Sequence, residues 1–464
     1  MAAKRKSMGV VQLTILTTVN MMGSGIIMLP TNLAQVGTIS VFSWLVTTLG
    51  AGLLAYAFAR AGTLSDKAGG MGGYAEYAFG KAGNFLANYT YGVSLLIANV
   101  AIAISAVGYA VVLFNVSLTP LTTCLATVAV LWLATALNFG GAAITGRISS
   151  VTVWGVIIPV LGVSIIGWFW FHPSLYAAAW NPHGYTAFKG VSSSIAITLW
   201  AFLGLESACA NSDAVENPKK NVPIAVIGGT LAAAVMYIVS TNVIAGIVPN
   251  LDLAKSTAPF GLAFARMFTP AVGNVIMALL IVACFGSLLG WQFTIAEVFR
   301  GSAKVGYFPK IFGRVTRLGA PIAGMLVITS VQSLLALLTI SPSLTTQFVV
   351  LVNLAVVTNL IPYLLSMGAL PMMQAALGVA RHRARAANVV AVLASVYSLY
   401  ALYSAGYQAV MWGAIVTFAG WILFGLVDVR LTATSEVAVE VVPAPVLNPL
   451  PGLNPLPVPI AAPA

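Results

Sequence analysis

One carboxylate stands in an otherwise uncharged run of the sequence. Glu206 lies within WAFLGLESAC, which covers residues 200–209. In a membrane-embedded segment an ionisable side chain costs roughly 2.5 to 3.5 kcal/mol on insertion scales, so it normally marks a binding site or a transport pathway. A buried carboxylate of this kind has a positively charged group as its natural ligand.

Two glycine-containing stretches predict interrupted helices. Gly23, Ser24 and Gly25 stand near the middle of the first apolar segment, and Gly204 precedes Glu206 near the middle of the sixth. Unwound backbone survives in lipid only where it is buried in protein or lines a cavity. The free N–H groups of an unwound first helix, together with the helix dipole, would form an anion site opposite Glu206, which suits an amino acid or a diamine. Close packing between straight helices is the alternative; it explains the glycines but not the adjacent glutamate.

Three aromatic residues are candidates to complete this site. Tyr91, Trp200 and Trp291 fall near the middle of their apolar segments or close to it. An aromatic face can cover an ammonium group by cation-π contact, which contributes up to about 2 kcal/mol when desolvated. Each ring alone is more often a core or interface packing residue, and the neighbouring carboxylate brings the binding interpretation level with packing.

The composition indicates a polytopic membrane protein. Hydrophobic residues make up 59% of the chain and charged residues 7%, with a mean hydropathy of +0.97, whereas an ordinary soluble protein carries about a quarter charged residues. The three cysteines and three histidines show no metal-ligand spacing. We therefore predict neither a metal site nor a cofactor.

Twelve apolar segments are long enough to cross about 30 Å of hydrocarbon, which needs about 20 helical residues. Their expected spans are 10–36, 39–60, 86–115, 119–142, 148–171, 190–210, 222–248, 273–299, 320–341, 346–377, 387–405 and 408–427. With interrupted first and sixth helices, these spans predict an all-α membrane fold of five-plus-five inverted repeats, residues 10–171 and 190–377, followed by two further helices.

The basic residues predict the orientation. With the N-terminus, residues 1–9, in the cytoplasm, only Lys189, Lys255 and Arg266 of the 21 Lys and Arg residues lie outside. The positive-inside rule therefore places both termini in the cytoplasm. The net charge of +11 is thus a topology signal, and binding to nucleic acid is not expected.

Three segments outside the spans have distinctive compositions. The Gly-rich residues 65–83 predict an interfacial helix or a gate element, because no strand or Walker lysine accompanies the glycines. The basic residues 300–319 are expected to lie along lipid headgroups or to cap the inner mouth. Residues 428–464 contain the repeated LNPLP motif and predict a disordered, Pro-rich cytoplasmic tail.

Five runs of sequence resemble a known family. They are MGVVQLTILTTVNMMGSGIIMLP, GGMGGYAEYAFGKAGNFLANYTYGVSLLIANVAIAISAVGY, LWAFLGLESACANSDAVENPKKNVPIAV, STNVIAGIVPN and GSLLGWQFTIAEVF. The resemblance, over residues 8–427, is to the basic amino acid/polyamine antiporters of the amino acid-polyamine-organocation (APC) superfamily. It implies a leucine-transporter-like fold in the bacterial inner membrane and exchange of putrescine for ornithine by alternating access.

The resemblance also implies roles for individual residues. Gly23, Ser24 and Gly25 match the unwound stretch that receives the amino acid carboxylate. The remaining substrate-binding matches are Tyr91, Asn99, Trp200, Gly204, Glu206 and Trp291. Matches linked to transport or gating are Arg300, Tyr307 and Phe424. The sequence departs from close relatives at Phe424, where they have tyrosine, at Arg300, where they have lysine, and at Ala61, where they have cysteine.

Other functions remain open at the level of the sequence. An enzyme would need a catalytic constellation, yet the acidic residues expected within the membrane are only Glu206 and Glu297, and Glu297 is placed to pair with Arg300 three residues later. A channel would need a continuous pore. The nearest alternatives are a proton-coupled putrescine importer and an exchanger of cadaverine for lysine or agmatine for arginine. Protons, membrane lipid and a second copy of the chain complete the expected partners.

Overall fold

The computed structural model describes residues 9–67, 69–206 and 216–440, and all regular elements in these ranges are helical. The α-helices are α1 Val10–Met22, α2 Leu29–Ala34, α3 Val41–Leu64, α4 Met71–Leu113, α5 Pro120–Asn138, α6 Ala142–Thr152, α7 Trp154–Ile166, α8 Pro173–Ala178, α9 Ala187–Trp200, α10 Pro218–Ile247, α11 Asn250–Leu253, α12 Pro259–Met267, α13 Pro270–Lys304, α14 Ile322–Leu338, α15 Leu344–Ala376, α16 Arg381–Ala405 and α17 Tyr407–Glu440. Short 3₁₀ helices occupy Ser24–Ile26, Thr38–Ser40, Gly167–Trp170 and Lys310–Gly313.

The prediction of an all-α membrane fold is confirmed. In the described ranges, nine helical segments are long and apolar enough to cross a bilayer, and α14 is a shorter apolar helix. The other two predicted spans are the first and the sixth, which are interrupted as their glycines indicated. Helices α4 and α15 pack extensively against each other and carry much of the buried surface.

The first span breaks after α1. The backbone leaves the helical region at Gly23, with φ −42° and ψ −123°, and continues through the 3₁₀ turn Ser24–Ile26 into α2. The carbonyl oxygen of Ile27 accepts a hydrogen bond from the buried Tyr109 hydroxyl at 3.1 Å. A side chain from α4 thus hydrogen-bonds a backbone carbonyl that has lost its partner within its own helix. A helix break inside a membrane requires such a replacement.

The sixth span breaks after α9. The chain turns through residues 201–206, and Gly204 has φ +105°, a backbone conformation that glycine adopts at low cost. The buried Tyr237 hydroxyl of α10 donates to the carbonyl oxygen of Ala201 at 2.9 Å. The continuation of this span, residues 207–215, lies outside the described residues.

The two breaks lie against each other. A Cβ atom on Gly25 would be 3.5 Å from the Ala201 Cα atom and 3.9 Å from the Trp200 carbonyl oxygen. Helices α4 and α13 contact the 3₁₀ turn of the first break, and α15 contacts α9. The fold therefore brings both irregular stretches into one protein-lined region between these helices.

Two segments differ from the sequence expectations. Helix α4 begins at Met71 instead of near residue 86, and Gly80, with φ +61°, separates its first turns from the long membrane segment. Residues 428–440, where the predicted Pro-rich tail begins, continue α17, and they contain neither proline nor glycine. Residues 1–8 and 441–464 lie outside the described residues.

Candidate functional site

Glu206 is buried and held by three hydrogen-bond donors. Tyr91 donates from α4 to Oε1 at 2.9 Å, and Tyr363 donates from α15 to Oε2 at 2.5 Å. The backbone N–H of Gly204 also donates to Oε2, at 3.1 Å. The carboxylate is 6% exposed and forms none of the ion pairs recorded in the described part of the chain. Its partners are therefore neutral, and a cationic ligand would be its first full countercharge.

A small cavity of about 40 Å³ adjoins this carboxylate. Five residues singled out in the sequence line it: Gly25, Trp200, Gly204, Glu206 and Trp291. A volume of this size holds about three water molecules. A diamine or amino acid of six or more heavy atoms needs more space, so the site must widen when such a ligand enters.

Sequence reasoning missed several members of the site. The cavity has an apolar lining from Met21, Leu95, Ala98, Ile102 and Leu203. Ser94 and Asn359 also line it, and Tyr363 joins through its bond to Glu206. Asn359 and Tyr363 lie on the same α15 face, four residues apart, but nothing in their local sequence distinguishes them from core polar residues.

Two buried N–H donors at the cavity have no hydrogen-bond partner of good geometry among the described residues. They are Trp200 Nε1 and Asn359 Nδ2, and both residues are at most 5% exposed. Asn359 lies close to the Tyr363 hydroxyl, which itself donates to Glu206. Unpaired buried donors cost free energy until an acceptor reaches them. The cavity thus combines an acceptor of positive charge with donors suited to a carboxylate.

Asn99 lies beside the cavity lining in a separate polar network. Its Nδ2 atom donates to Gln292 Oε1 at 2.7 Å, and Gln292 in turn donates to Gln332 at 2.7 Å and to Thr329 at 2.9 Å. All four side chains are buried. The network joins α4, α13 and α14. Asn99 therefore helps to hold together the helices around the cavity.

The three residues linked by resemblance to transport or gating lie away from the cavity. Arg300 pairs with Glu297 on α13, as the spacing predicted. Tyr307 follows the end of α13 and packs against the core. The Phe424 ring lies 5.3 Å from the Phe85 ring, centroid to centroid. Gly23 packs against Ser287 of α13, and the Ser24 side chain lies outside what the structure describes.

The described residues form a helical membrane protein in which two helix breaks face each other and a buried carboxylate adjoins a protein-lined cavity. Secondary carriers are built in this way. The family model for amino acid permeases matches residues 8–424. The chain belongs to this amino acid permease family, whose members are transporters.

Curated relatives match nearly the whole chain. The Putrescine transporter PotE of Escherichia coli strain K12 is 69% identical over 434 residues, which cover 94% of this chain and 99% of that protein. The protein of the same name from Haemophilus influenzae strain Rd is 66% identical over 430 residues, covering 93% and 99%. The Cadaverine/lysine antiporter of E. coli K12 is 34% identical over 369 residues, covering 78% and 82%.

Proposed function

We propose that this protein exchanges putrescine for ornithine across the bacterial inner membrane by alternating access, with both termini in the cytoplasm. The observation that carries the proposal is the buried Glu206 carboxylate, which adjoins the cavity between the two helix breaks and whose hydrogen-bond partners among the described residues are all neutral. The names of the relatives support putrescine as substrate and exchange as mechanism.

Both substrates fit the chemistry of the cavity. An ammonium group of either one meets Glu206, and the rings of Trp200 and Trp291 cover it. The methylene chain lies along the apolar lining. Only ornithine has a carboxylate, and we assign its recognition to the Asn359 amide and the backbone N–H groups of the first break, both of which belong to stretches that line the cavity. Putrescine leaves these donors unpaired and relies on its two positive charges.

The tyrosine bonds give a physical reason for exchange. Tyr91 and Tyr363 tie Glu206 to α4 and α15. A substrate ammonium competes with these hydroxyls for the carboxylate oxygens and so loosens the tie. The empty carrier keeps it, and a hydrogen bond to a charged group contributes about 1.5 to 3 kcal/mol. Loaded forms should therefore change conformation more readily than the empty form.

The exchange should respond to membrane voltage. At neutral pH putrescine carries two positive charges, while the carboxylate of ornithine offsets one of its two amines. One-for-one exchange then moves one net charge, which is worth about 2.3 kcal/mol per 100 mV. Voltage therefore distinguishes this exchange from an electroneutral one.

The test uses liposomes that contain the purified protein. Uptake of labelled putrescine is compared between ornithine-loaded and empty liposomes at equal internal and external pH under a voltage clamp. We expect rapid uptake only into loaded liposomes, with a rate that changes with voltage. Equal uptake into both, or indifference to voltage, would contradict the mechanism.

Two variations of the assay address the alternatives. Uptake into empty liposomes that requires an inward proton gradient would establish the proton-coupled importer, with Glu206 as the protonation site. Internal lysine with external cadaverine, and internal arginine with external agmatine, test the other pairs. Faster exchange of either pair than of ornithine for putrescine would reassign the substrates. Chemical cross-linking in the same liposomes tests the expected homodimer.

A further inference from the structure

A groove of about 620 Å³ lies along the outer face of α16, away from the substrate cavity. Arg381 and Arg385 line its beginning, and Val389, Val392 and Leu393 line its far part. The groove is therefore cationic at one end and apolar at the other. We propose that it binds one anionic glycerophospholipid, with the phosphate at the arginines and an acyl chain along the valines and leucine.

The basic end carries two arginines without a compensating acid. Arg381 and Arg385 are one helical turn apart and share a face. Neither forms an ion pair with a described residue, and no Asp or Glu occurs in residues 298–427. Asn388 also lines the groove, and its Oδ1 atom accepts from Gln374 Nε2 at 3.0 Å, so its NH₂ group remains as a third donor.

The apolar end offers exposed side chains to an acyl chain. Val389, Val392 and Leu393 are 53%, 63% and 49% exposed. From Val389 to Leu393 the helix rises about 6 Å at 1.5 Å per residue, so this end contacts the part of an acyl chain nearest the headgroup. A free phosphate ion would fill only the arginine end, whereas a phospholipid fills both.

A second copy of the chain fits this groove less well. A two-fold axis along the membrane normal would place α16 beside the same helix at the same depth. Arg381 and Arg385 would then face their own copies with no carboxylate between them. An anionic lipid removes this repulsion, and basic surfaces at the cytoplasmic side of membrane helices attract anionic headgroups.

The test compares lipids retained by the intact protein. Protein in nanodiscs of equal phosphatidylglycerol and phosphatidylethanolamine is released into mild detergent, and native mass spectrometry counts the bound lipids. Each arginine contributes about a factor of five toward an anionic lipid, so we expect a preference of roughly thirtyfold for phosphatidylglycerol. Arg381→Gln/Arg385→Gln should lose it. Arg383→Gln is the matched control, because Arg383 lies on the same turn outside the groove, and it should keep the preference.

Several results would overturn the proposal. They are an unchanged preference in the double variant, an equal loss in the Arg383 control, or equal retention of both lipids by the unmodified protein. The last comparison stands even if the double variant does not fold. Displacement of phosphatidylglycerol by 10 mM inorganic phosphate would reduce the site to an anion site, and a dimer carrying no anionic lipid would show that a second chain covers the groove.

Discussion

Replacing Glu206 by glutamine tests the centre of the proposed site. The change preserves the size of the side chain but removes its charge and converts one oxygen to an NH₂ group. Tyr91, Tyr363 and the Gly204 N–H all donate to the two carboxylate oxygens, so the loss of one oxygen leaves at least one of them without its acceptor, and a tyrosine hydroxyl that faces the new NH₂ group must turn to accept from it. A bound ammonium also loses its charge partner. Removal of one member of a buried ion pair costs about 3 to 5 kcal/mol, which corresponds to more than a hundredfold in Kd.

The measurement is equilibrium binding of putrescine to the purified variant, with the melting temperature recorded to confirm that the protein is folded. Asp252→Asn is the control. Asp252 is exposed and pairs with Arg266 at 2.6 Å on the surface, and exposed pairs contribute about 0 to 1 kcal/mol. We expect its effect on binding to be less than about fivefold. A folded Glu206→Gln protein that binds putrescine within fivefold of the unmodified one would refute the assignment of Glu206.

Four other side chains at or beside the cavity lead to separate predictions. Trp200→Leu or Trp291→Leu should weaken putrescine binding by up to about 2 kcal/mol with normal membrane insertion; unchanged transport in both variants would return these rings to a packing role. Asn359→Leu should weaken ornithine binding by about 1 to 3 kcal/mol and leave putrescine binding nearly unchanged, and an equal loss for both substrates would contradict its role as a carboxylate donor. Tyr363→Phe removes a hydroxyl that ties Glu206 to α15, so putrescine uptake into empty liposomes should rise relative to exchange; strictly coupled uptake at an unchanged ratio would argue against the proposed tie.

The irregular parts of the fold were predictable because membrane chemistry restricts them. A charged residue beside glycine within an apolar run has few stable environments in lipid, so Gly204 and Glu206 together indicated a break at a site. The pair Gly23 and Gly25 indicated the other break for the same reason. The aromatic candidates followed from their places in the apolar segments and from the neighbouring carboxylate, whereas the family resemblance supplied Asn99 and the positions outside the site.

The remaining site residues depend on contacts that the sequence does not reveal. Tyr363 reaches Glu206 from 157 positions away along the chain, and Asn359 has the same local appearance as the buried asparagines of the core. Asn99 was predicted to bind substrate but is not among the described residues that line the cavity. It follows the cavity-lining Ala98 directly on α4, and this difference of one position directs its side chain to the network with Gln292. A sequence pattern cannot decide, to within one residue, which positions of α4 face the cavity.

The way in which the breaks are stabilised bears on the mechanism of exchange. The carbonyl oxygens of Ile27 and Ala201 are satisfied by the tyrosine hydroxyls of α4 and α10. The binding energy of a substrate therefore does not have to offset the cost of unpaired backbone at these two groups. What substrate does change is the environment of Glu206, whose neutral donors it partly replaces with a full positive charge. The preformed breaks fix the place of the site, and the competition at Glu206 is the step at which binding can be coupled to movement of the helices around it.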